Sequence, residues 1–244
     1  MSHASDFDSS RMRSTGRALT STGFDGDLGE ADTDLLEALD DRQDETVLMR
    51  AVAKARLLVP IVAAPSGIDD PGELVERSTD MAVVTLTSPD GQRALPVFTS
   101  VAALSVWDSA ARPSPVTSSL AAQAAVSERC DVMLLDVGSG HERALRPSMV
   151  WALAQQREWL PAHTDPFVAQ ALSRATADEA DVIDCVGEEG DPTGVGILRV
   201  VLRLRPGLDS GQVQALATRV GEQIATDGEA RARIDGLAFT IRQA

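Results

Sequence analysis

The stretch Arg93-Ala-Leu-Pro-Val-Phe-Thr-Ser100 decides the fold of this chain. Its apolar residues predict a strand over 93–98. Thr99 or Ser100 then stands where a helix cap is needed, because both side chains can accept a hydrogen bond from the first backbone N–H groups of a helix. That helix carries Trp107. The segment therefore predicts a strand, a tight stop and a helix that folds back.

The residues before this stretch predict a hairpin. Pro89-Asp-Gly91 is typical of a tight turn, since proline fixes φ and glycine accepts positive φ. The turn connects a strand over 81–87 to the strand over 93–98. Because Pro96 has no N–H to donate, we expect an edge position or a bulge there.

Strands and helices alternate with short connections along the rest of the first 160 residues. This alternation predicts an α+β protein, with α/β layers formed by a mixed β-sheet and flanking helices. The predicted elements are a helix beginning near Asp32 or Thr33, a buried strand over 57–63, an Ala-rich helix over 118–127, a strand over 131–136 and a helix beginning at Pro147. Arg112-Pro-Ser-Pro115 is interpreted as an interruption, since it holds two prolines.

The last part of the chain predicts a smaller ββαβ unit that resembles part of a ferredoxin-like sandwich. Its strands are expected at 182–186, 194–205 and 234–241. The helix between the last two begins after Asp209, and Gln212 stands where a capping-box partner would.

Three regions follow from this pattern. Residues 1–30 lack apolar periodicity and predict a disordered acidic tail. Residues 31–160 predict an N-terminal α/β domain, and residues 165–244 predict a small α+β C-terminal domain.

The formal net charge of −15 limits the partners. Nucleic acids and anionic membranes attract basic proteins, so neither is an expected partner. No signal peptide and no apolar run long enough to span a membrane is found in the sequence, so a cytoplasmic location is expected. The wealth of Ala, Val, Asp, Gly and Arg is typical of a bacterial protein.

Five features together resemble the SseB family (enhanced serine sensitivity protein B). They are Phe24-Asp-Gly-Asp-Leu-Gly29, Leu57-Leu-Val-Pro-Ile61, the turn at 89–91, Leu95-Pro-Val-Phe-Thr-Ser100 with Trp107, and Val132-Met-Leu-Leu-Asp136. The resemblance covers roughly Phe24 to Trp159 and is weaker in the C-terminal half. It implies a soluble bacterial protein with a mixed α/β domain and no active site to inherit. In the family the last strand often runs into Asp-Pro, whereas here Val137 follows Asp136.

The residues that could carry chemistry do not form a recognisable catalytic set. Cys185 stands among acidic side chains that raise a thiol pKa, and Cys130 precedes a buried strand, so both are interpreted as packing residues. His141 follows a Gly-Ser-Gly turn and is the histidine that an enzyme would use, with Asp131 or Asp136. The acidic run after Asp25 fails the calcium-loop pattern, and we predict no metal and no cofactor.

We therefore expect a non-enzymatic protein that binds other macromolecules, with an unknown protein or a second copy as the partner. Phe98 and Trp107 are the candidate interaction surface, although core packing also explains two large aromatic residues here. Two alternatives stay open. One is a small-molecule-sensing domain, suggested by the ferredoxin-like analogy, and the other is a small enzyme that uses His141.

Overall fold

The computed structural model describes residues 12–13, 24, 26–41, 44–63 and 81–243, and these residues form an α+β protein, as predicted. The helices are α1 (Thr33–Asp40), α2 (Glu45–Lys54), α3 (Val101–Trp107), α4 (Ser118–Ser127), α5 (Pro147–Ala154), α6 (Pro166–Thr176), α7 (Ser210–Thr226) and α8 (Gly228–Arg233). The strands are β1 (Met12–Arg13), β2 (Arg56–Ala63), β3 (Met81–Thr87), β4 (Arg93–Val97), β5 (Arg112–Thr117), β6 (Val132–Leu135), β7 (Arg143–Leu145), β8 (Val182–Glu189), β9 (Ile197–Leu204) and β10 (Gly236–Gln243).

A mixed sheet forms the first part of the molecule. Its strand order is β5-β2-β3-β4-β6-β7, and β1 pairs with β3 beside this path. β4 and β6 are parallel, while the other neighbours are antiparallel. The sheet is buried because its central strands carry continuous apolar runs, such as Val132–Leu135, in which every residue is buried. The parallel pair brings the carboxyl ends of β4 and β6 together.

The expectation for Pro96 is wrong, because β4 lies inside the sheet and has no bulge there. β4 pairs with β3 only at Arg93 and Ala94, and Phe98 then forms a bridge with Leu58 of β2. Among the described residues, the register gives Pro96 a partner only in β6, Leu134. On the side of β4 that faces away from β6, Pro96 lies between the pairing with β3 and the bridge to β2. The proline is tolerated in this inner strand because no ladder hydrogen bond is needed from it there.

Arg112-Pro-Ser-Pro115 interrupts the helical segments, as predicted, but these residues also form a strand that was not predicted, since they belong to β5. β5 pairs antiparallel with β2 over its whole length, with Pro113 opposite Pro60. It lies at the edge of the sheet. An edge strand tolerates proline because one side of its backbone needs no partner.

The helix boundaries follow from side-chain caps. Asp32 caps α1 and Ser100 caps α3, each by accepting a hydrogen bond from the third residue after it, and each is one of the two caps that the sequence had offered. α3 ends at Trp107, and the Asp108 carboxylate then accepts a hydrogen bond from the Ala110 N–H and turns the chain.

The described residues divide into two compact units. The first reaches Arg146 and includes Leu153–Arg157, and the second consists of Pro147–Ala152 and Glu158 to the C-terminus. The division predicted from the sequence, at 31–160 and 165–244, stays a prediction. The predicted tail at 1–30 lies mostly outside the described residues.

The second unit contains the predicted ββαβ arrangement. Its sheet has the order β10-β9-β8, in which β8 and β9 are antiparallel and β9 and β10 are parallel. The predicted capping box of Asp209 and Gln212 begins α7. Side chains from one face of β9 form the core with α6 and α7, and these are Leu198, Val200, Leu202 and Leu204.

Buried polar contacts attach the start of α5 to the rest of the second unit. The Asp235 carboxylate accepts hydrogen bonds from the Ser148 N–H and hydroxyl, both at 2.7 Å, and the Trp159 indole donates to the Ser148 hydroxyl at 3.0 Å. These contacts explain why Pro147–Ala152 belongs to the second unit.

Arg233 stabilises the same region through charge and stacking. Its guanidinium donates to the Asp165 carboxylate at 2.9 Å and lies over the rings of Trp151 and Phe167, at 5.1 and 4.4 Å from their centroids. The Arg233 side chain is 9% exposed and that of Asp165 is 3% exposed, so the ion pair is buried.

We predict that Arg233→Ala lowers the free energy of unfolding of the second unit by about 3–5 kcal/mol, because the Asp165 carboxylate stays buried without its counter-charge. Urea unfolding followed by tryptophan fluorescence measures the change, with Arg231→Ala, at an exposed position, as the control. Adding Asp165→Asn to Arg233→Ala should recover part of the lost free energy of unfolding, because the buried side chain is then uncharged. Equal stabilities of the Arg233→Ala and Arg231→Ala variants would contradict the prediction.

Candidate functional site

The candidate site begins where the parallel strands β4 and β6 end. Thr99 follows β4, and Asp136 follows β6 with a left-handed backbone conformation (φ 48°). The Asp136 carboxylate accepts hydrogen bonds from the Thr99 N–H and from the Thr99 hydroxyl, both at 2.8 Å. These bonds connect the ends of the two strands. Ligand sites of α/β proteins often lie at such carboxyl ends, which makes this edge the first place to look for function.

Asp136 is a buried carboxyl group, 4% exposed. Burial raises its pKa, while the two hydrogen bonds from Thr99 and the nearby His141 act in the opposite direction with smaller effects. The net effect is a raised pKa, so the folded protein favours the neutral form of this group more than the unfolded chain does.

Arg56, the first residue of β2, extends this network. Its guanidinium donates to the Thr99 carbonyl at 2.7 Å and to the Asp27 carboxylate at 2.7 Å. It also donates to the Glu30 carbonyl at 2.5 Å. The side chains of Arg56 and Asp27 are only 13% and 14% exposed, so this ion pair is shielded from solvent. Arg56 therefore holds the segment before α1 against the start of α3.

Close backbone contact fixes this segment further. The Gly29 carbonyl accepts a hydrogen bond from the Val101 N–H at 2.8 Å. Gly29 has a φ of 78°, and a Cβ atom there would lie 2.4 Å from the Cγ2 atom of Val101, so a side chain cannot fit. Residues 26–30, which the sequence prediction assigned to the tail, thus pack on the first turn of α3.

An uncharged apolar surface results from this packing. We call it the α3 patch and define it by Leu28, Val101, Ala102, Ser105 and Val106. All five are exposed, and the largest exposed fractions are 87% for Leu28 and 69% for Val106. On α3, Ala102 is three residues from Ser105 and four from Val106, and Val101 is four residues from Ser105. Residues at these spacings share one face of the helix.

The predicted interaction residues Phe98 and Trp107 lie beneath and beside this patch. Phe98 is fully buried, whereas Trp107 is partly buried, and their ring centroids are 5.3 Å apart. Phe98 packs with Leu58 and Leu104 in the core. Of the two aromatic residues, only Trp107 has surface to offer a partner, and their role in binding stays a prediction.

His141 is exposed and lies near two carboxylates. Its Nδ1 atom is 3.3 Å from the Asp40 carboxylate, at side-chain exposures of 67% and 73%, and a charge on the imidazole would lower the pKa of Asp136. Asp131 precedes β6 and His141 follows it, and the Asp131 carboxylate accepts a hydrogen bond from the Arg93 N–H. The structure thus brings Asp136, and not Asp131, near His141. His3 lies outside the described residues.

Both thiols have raised pKa values. Burial raises the pKa of Cys130 to about 12, and burial together with the Asp184 charge raises that of Cys185 to about 11. The thiolate, which is the reactive form, is therefore scarce at neutral pH. Among the residues that the structure describes, no group of three His, Cys, Asp or Glu side chains could hold a metal ion.

A groove of about 430 Å³ lies between α6 and α7 in the second unit. Arg174 and Arg219 line it, and they form ion pairs with Asp227 and Glu179 at 2.5 and 2.7 Å. Its cationic groups are therefore already occupied by carboxylates, which makes the groove a poor site for an anionic ligand.

The fold and the site define a class of protein. Its first unit is built on a mixed sheet in which a polar network joins the ends of the parallel strands β4 and β6, and its second unit contains a small ββαβ arrangement. Residues 33–152 match the family described as SseB protein N-terminal domain, which confirms the predicted resemblance over this part of the chain. No curated protein and no solved structure matches the chain. Within the described residues, no helix is both long and apolar enough to cross a membrane.

The family match begins after Phe24-Asp-Gly-Asp-Leu-Gly29 and ends before Trp159. The resemblance expected for the C-terminal half stays a prediction. Sequence reasoning missed Arg56, whose partners Asp27 and Thr99 are 29 and 43 residues away along the chain. Its place directly before the family feature Leu57-Leu-Val-Pro-Ile61 was the one available signal.

We predict opposite effects for two substitutions of Asp136. Asp136→Asn should keep both contacts, since the amide oxygen accepts from the Thr99 N–H and the amide nitrogen donates to the Thr99 hydroxyl. Asparagine also tolerates the left-handed backbone. Asp136→Ala loses both hydrogen bonds and should lower the free energy of unfolding by about 2–4 kcal/mol.

The raised pKa also gives a pH dependence with a definite sign. The wild-type group contributes its stability fully below its unfolded pKa, near about 4, and loses it as pH rises through the folded pKa. Asp136→Asn should therefore gain stability relative to wild type over the range that begins at the unfolded pKa and extends upward through the folded pKa. Urea unfolding across this range measures the difference, and a relative loss by Asp136→Asn with rising pH would contradict the account.

Proposed function

We propose that this protein is a non-enzymatic, cytoplasmic interaction module that binds a partner protein through the α3 patch. The observation that supports the proposal is an exposed, uncharged helix face on a chain with a formal net charge of −15. Charged residues are depleted at the centres of protein interfaces, and a contiguous apolar surface on a soluble domain is characteristic of binding sites.

The polar network beneath the patch supports a binding role more than a chemical one. The Asp136 carboxylate is engaged by Thr99, and the Arg56 guanidinium by Asp27 and two backbone carbonyls. Groups committed to one another in this way hold α3 and the 27–30 segment in place. A surface that is already ordered loses less conformational entropy on binding, which favours affinity.

The chemistry of the patch specifies the kind of partner. Leu28 and Val106 offer aliphatic contacts without hydrogen-bonding groups, so a complementary partner presents an apolar helix face or loop. The acidic character of the chain favours a partner with basic residues around that apolar centre, because opposite charges accelerate association.

We predict that Val106→Asp abolishes binding of the partner protein, because a charge at the centre of an apolar contact is costly to bury. Val126→Asp is the matched control, since Val126 is an exposed valine of α4, 57% exposed, outside the patch. Both variants should fold as wild type. Quantitative co-purification from the native host should recover the partner with wild type and Val126→Asp, and at least about tenfold less with Val106→Asp.

Equal recovery with Val106→Asp and Val126→Asp would show that the α3 patch is not the binding surface. The absence of any stoichiometric protein with wild type would contradict the interaction role itself.

A further inference from the structure

We infer that β10 is a self-association edge, at which two copies of the chain pair antiparallel and join their three-stranded sheets into one of six strands. This inference concerns the second unit and does not depend on the α3 patch. It goes beyond the proposed binding function because it identifies a second surface and commits it to a second copy of this chain.

The backbone of β10 is regular and open on its outer side. All eight of its residues, Gly236–Gln243, pair with β9 in continuous register. Within the described residues no strand lies on its other side, since the sheet order places β10 at the end. An unpaired edge of this length offers a row of backbone donors and acceptors to another strand. β10 has no proline and no acidic residue, and its single charge is Arg242.

The opposite edge of the same sheet differs in its register and in its charge. β8 has a register shift between Val182 and Asp184, and it carries Asp184, Glu188 and Glu189. Bulges and charges are the usual means by which proteins prevent an edge strand from pairing with another chain. One edge of the sheet is therefore protected, while the other is regular and nearly uncharged.

The apolar side of β10 is incompletely covered. Leu237 is 38% exposed, and Phe239 and Ile241 are only partly buried although they contact the core of the second unit. α7 lies over Phe239, since a Cβ atom on Gly221 would be 3.5 Å from that ring. The core thus continues up to the last strand and stops there with apolar surface left in solvent.

Two copies of β10 are complementary to each other when they pair antiparallel. Antiparallel pairing centred on Phe239 places Phe239 beside Phe239 of the partner subunit and Leu237 opposite Ile241 of the partner subunit. On the other face, Ala238 lies opposite Thr240 of the partner subunit. Arg242 lies opposite Gly236 of the partner subunit, so no like charges meet across the strands. A two-fold axis therefore joins the two apolar rows into one, which is the isologous contact typical of homodimers.

The expected dimer is reversible. Pairing along a single strand from each chain buries little surface, so the interface is small. In addition, two chains of net charge −15 repel each other. We therefore expect a dissociation constant on the order of 10 µM that falls as added salt screens the repulsion.

Sedimentation velocity of the full chain over a concentration series tests the inference. Wild type should shift from monomer to dimer as concentration rises. Ala238→Lys with Thr240→Lys should weaken the dimer at least about tenfold, because lysines then face each other across the strands. Val186→Lys is the matched control, since Val186 and Thr240 lie in the same cross-strand row, on either side of Val201, and only Thr240 is at the β10 edge.

A second experiment replaces the same two residues with glutamate and tests whether opposite charges restore the dimer. Ala238→Glu with Thr240→Glu should also weaken self-association, and an equimolar mixture of the lysine and glutamate double variants should restore a dimer. Three results would overturn the inference: a wild-type chain that stays monomeric at the highest concentration, equal weakening by Val186→Lys, or a dimer abolished by Val106→Asp instead. The last result would place self-association on the α3 patch, whereas partner loss with an intact dimer would leave the two surfaces independent.

Discussion

The hydrogen bonds between Thr99 and Asp136 are the constraint on which the first unit depends. They join the ends of the parallel strands β4 and β6 at the point where the chain leaves one strand for α3 and the other for a turn. Arg56 then attaches the Thr99 carbonyl to β2 and to the segment around Asp27. Because each contact is buried or half-buried, the network fixes the position of α3, and with it the apolar face that α3 presents.

The second unit uses a similar device for a different purpose. Arg233 is enclosed by Asp165 and two aromatic rings, and Asp235 binds Ser148, so buried polar contacts secure the helices around the small sheet. They leave the outer edge of β10 open. In both units, the buried polar groups are held by hydrogen bonds or ion pairs, while the surfaces with little or no charge are the ones suited to contact other chains.

Local sequence patterns predicted most of the elements and little of the site. Ser100 and Asp209 were identified as helix caps because a cap needs only neighbouring residues. The pairing of Arg112-Pro-Ser-Pro115 with β2 could not be predicted, since proline forbids an inner strand but is allowed at an edge, and local sequence does not say which strand is at the edge. Arg56 was missed for the same kind of reason: its partners are distant along the chain. Asp136 was noticed as the last residue of a family feature and as a companion of His141, and its contact with Thr99 was not predicted.

The most direct test of the account is amide hydrogen exchange in wild type and in Arg56→Met, which keeps an apolar stem but removes the donor groups. The account predicts that protection falls at residues 27–30 and 99–107, which Arg56 holds together, and stays unchanged in β8, β9 and β10. Unchanged protection at 27–30 and 99–107 would contradict the claim that this network positions the α3 patch. A uniform loss over both units would contradict it equally.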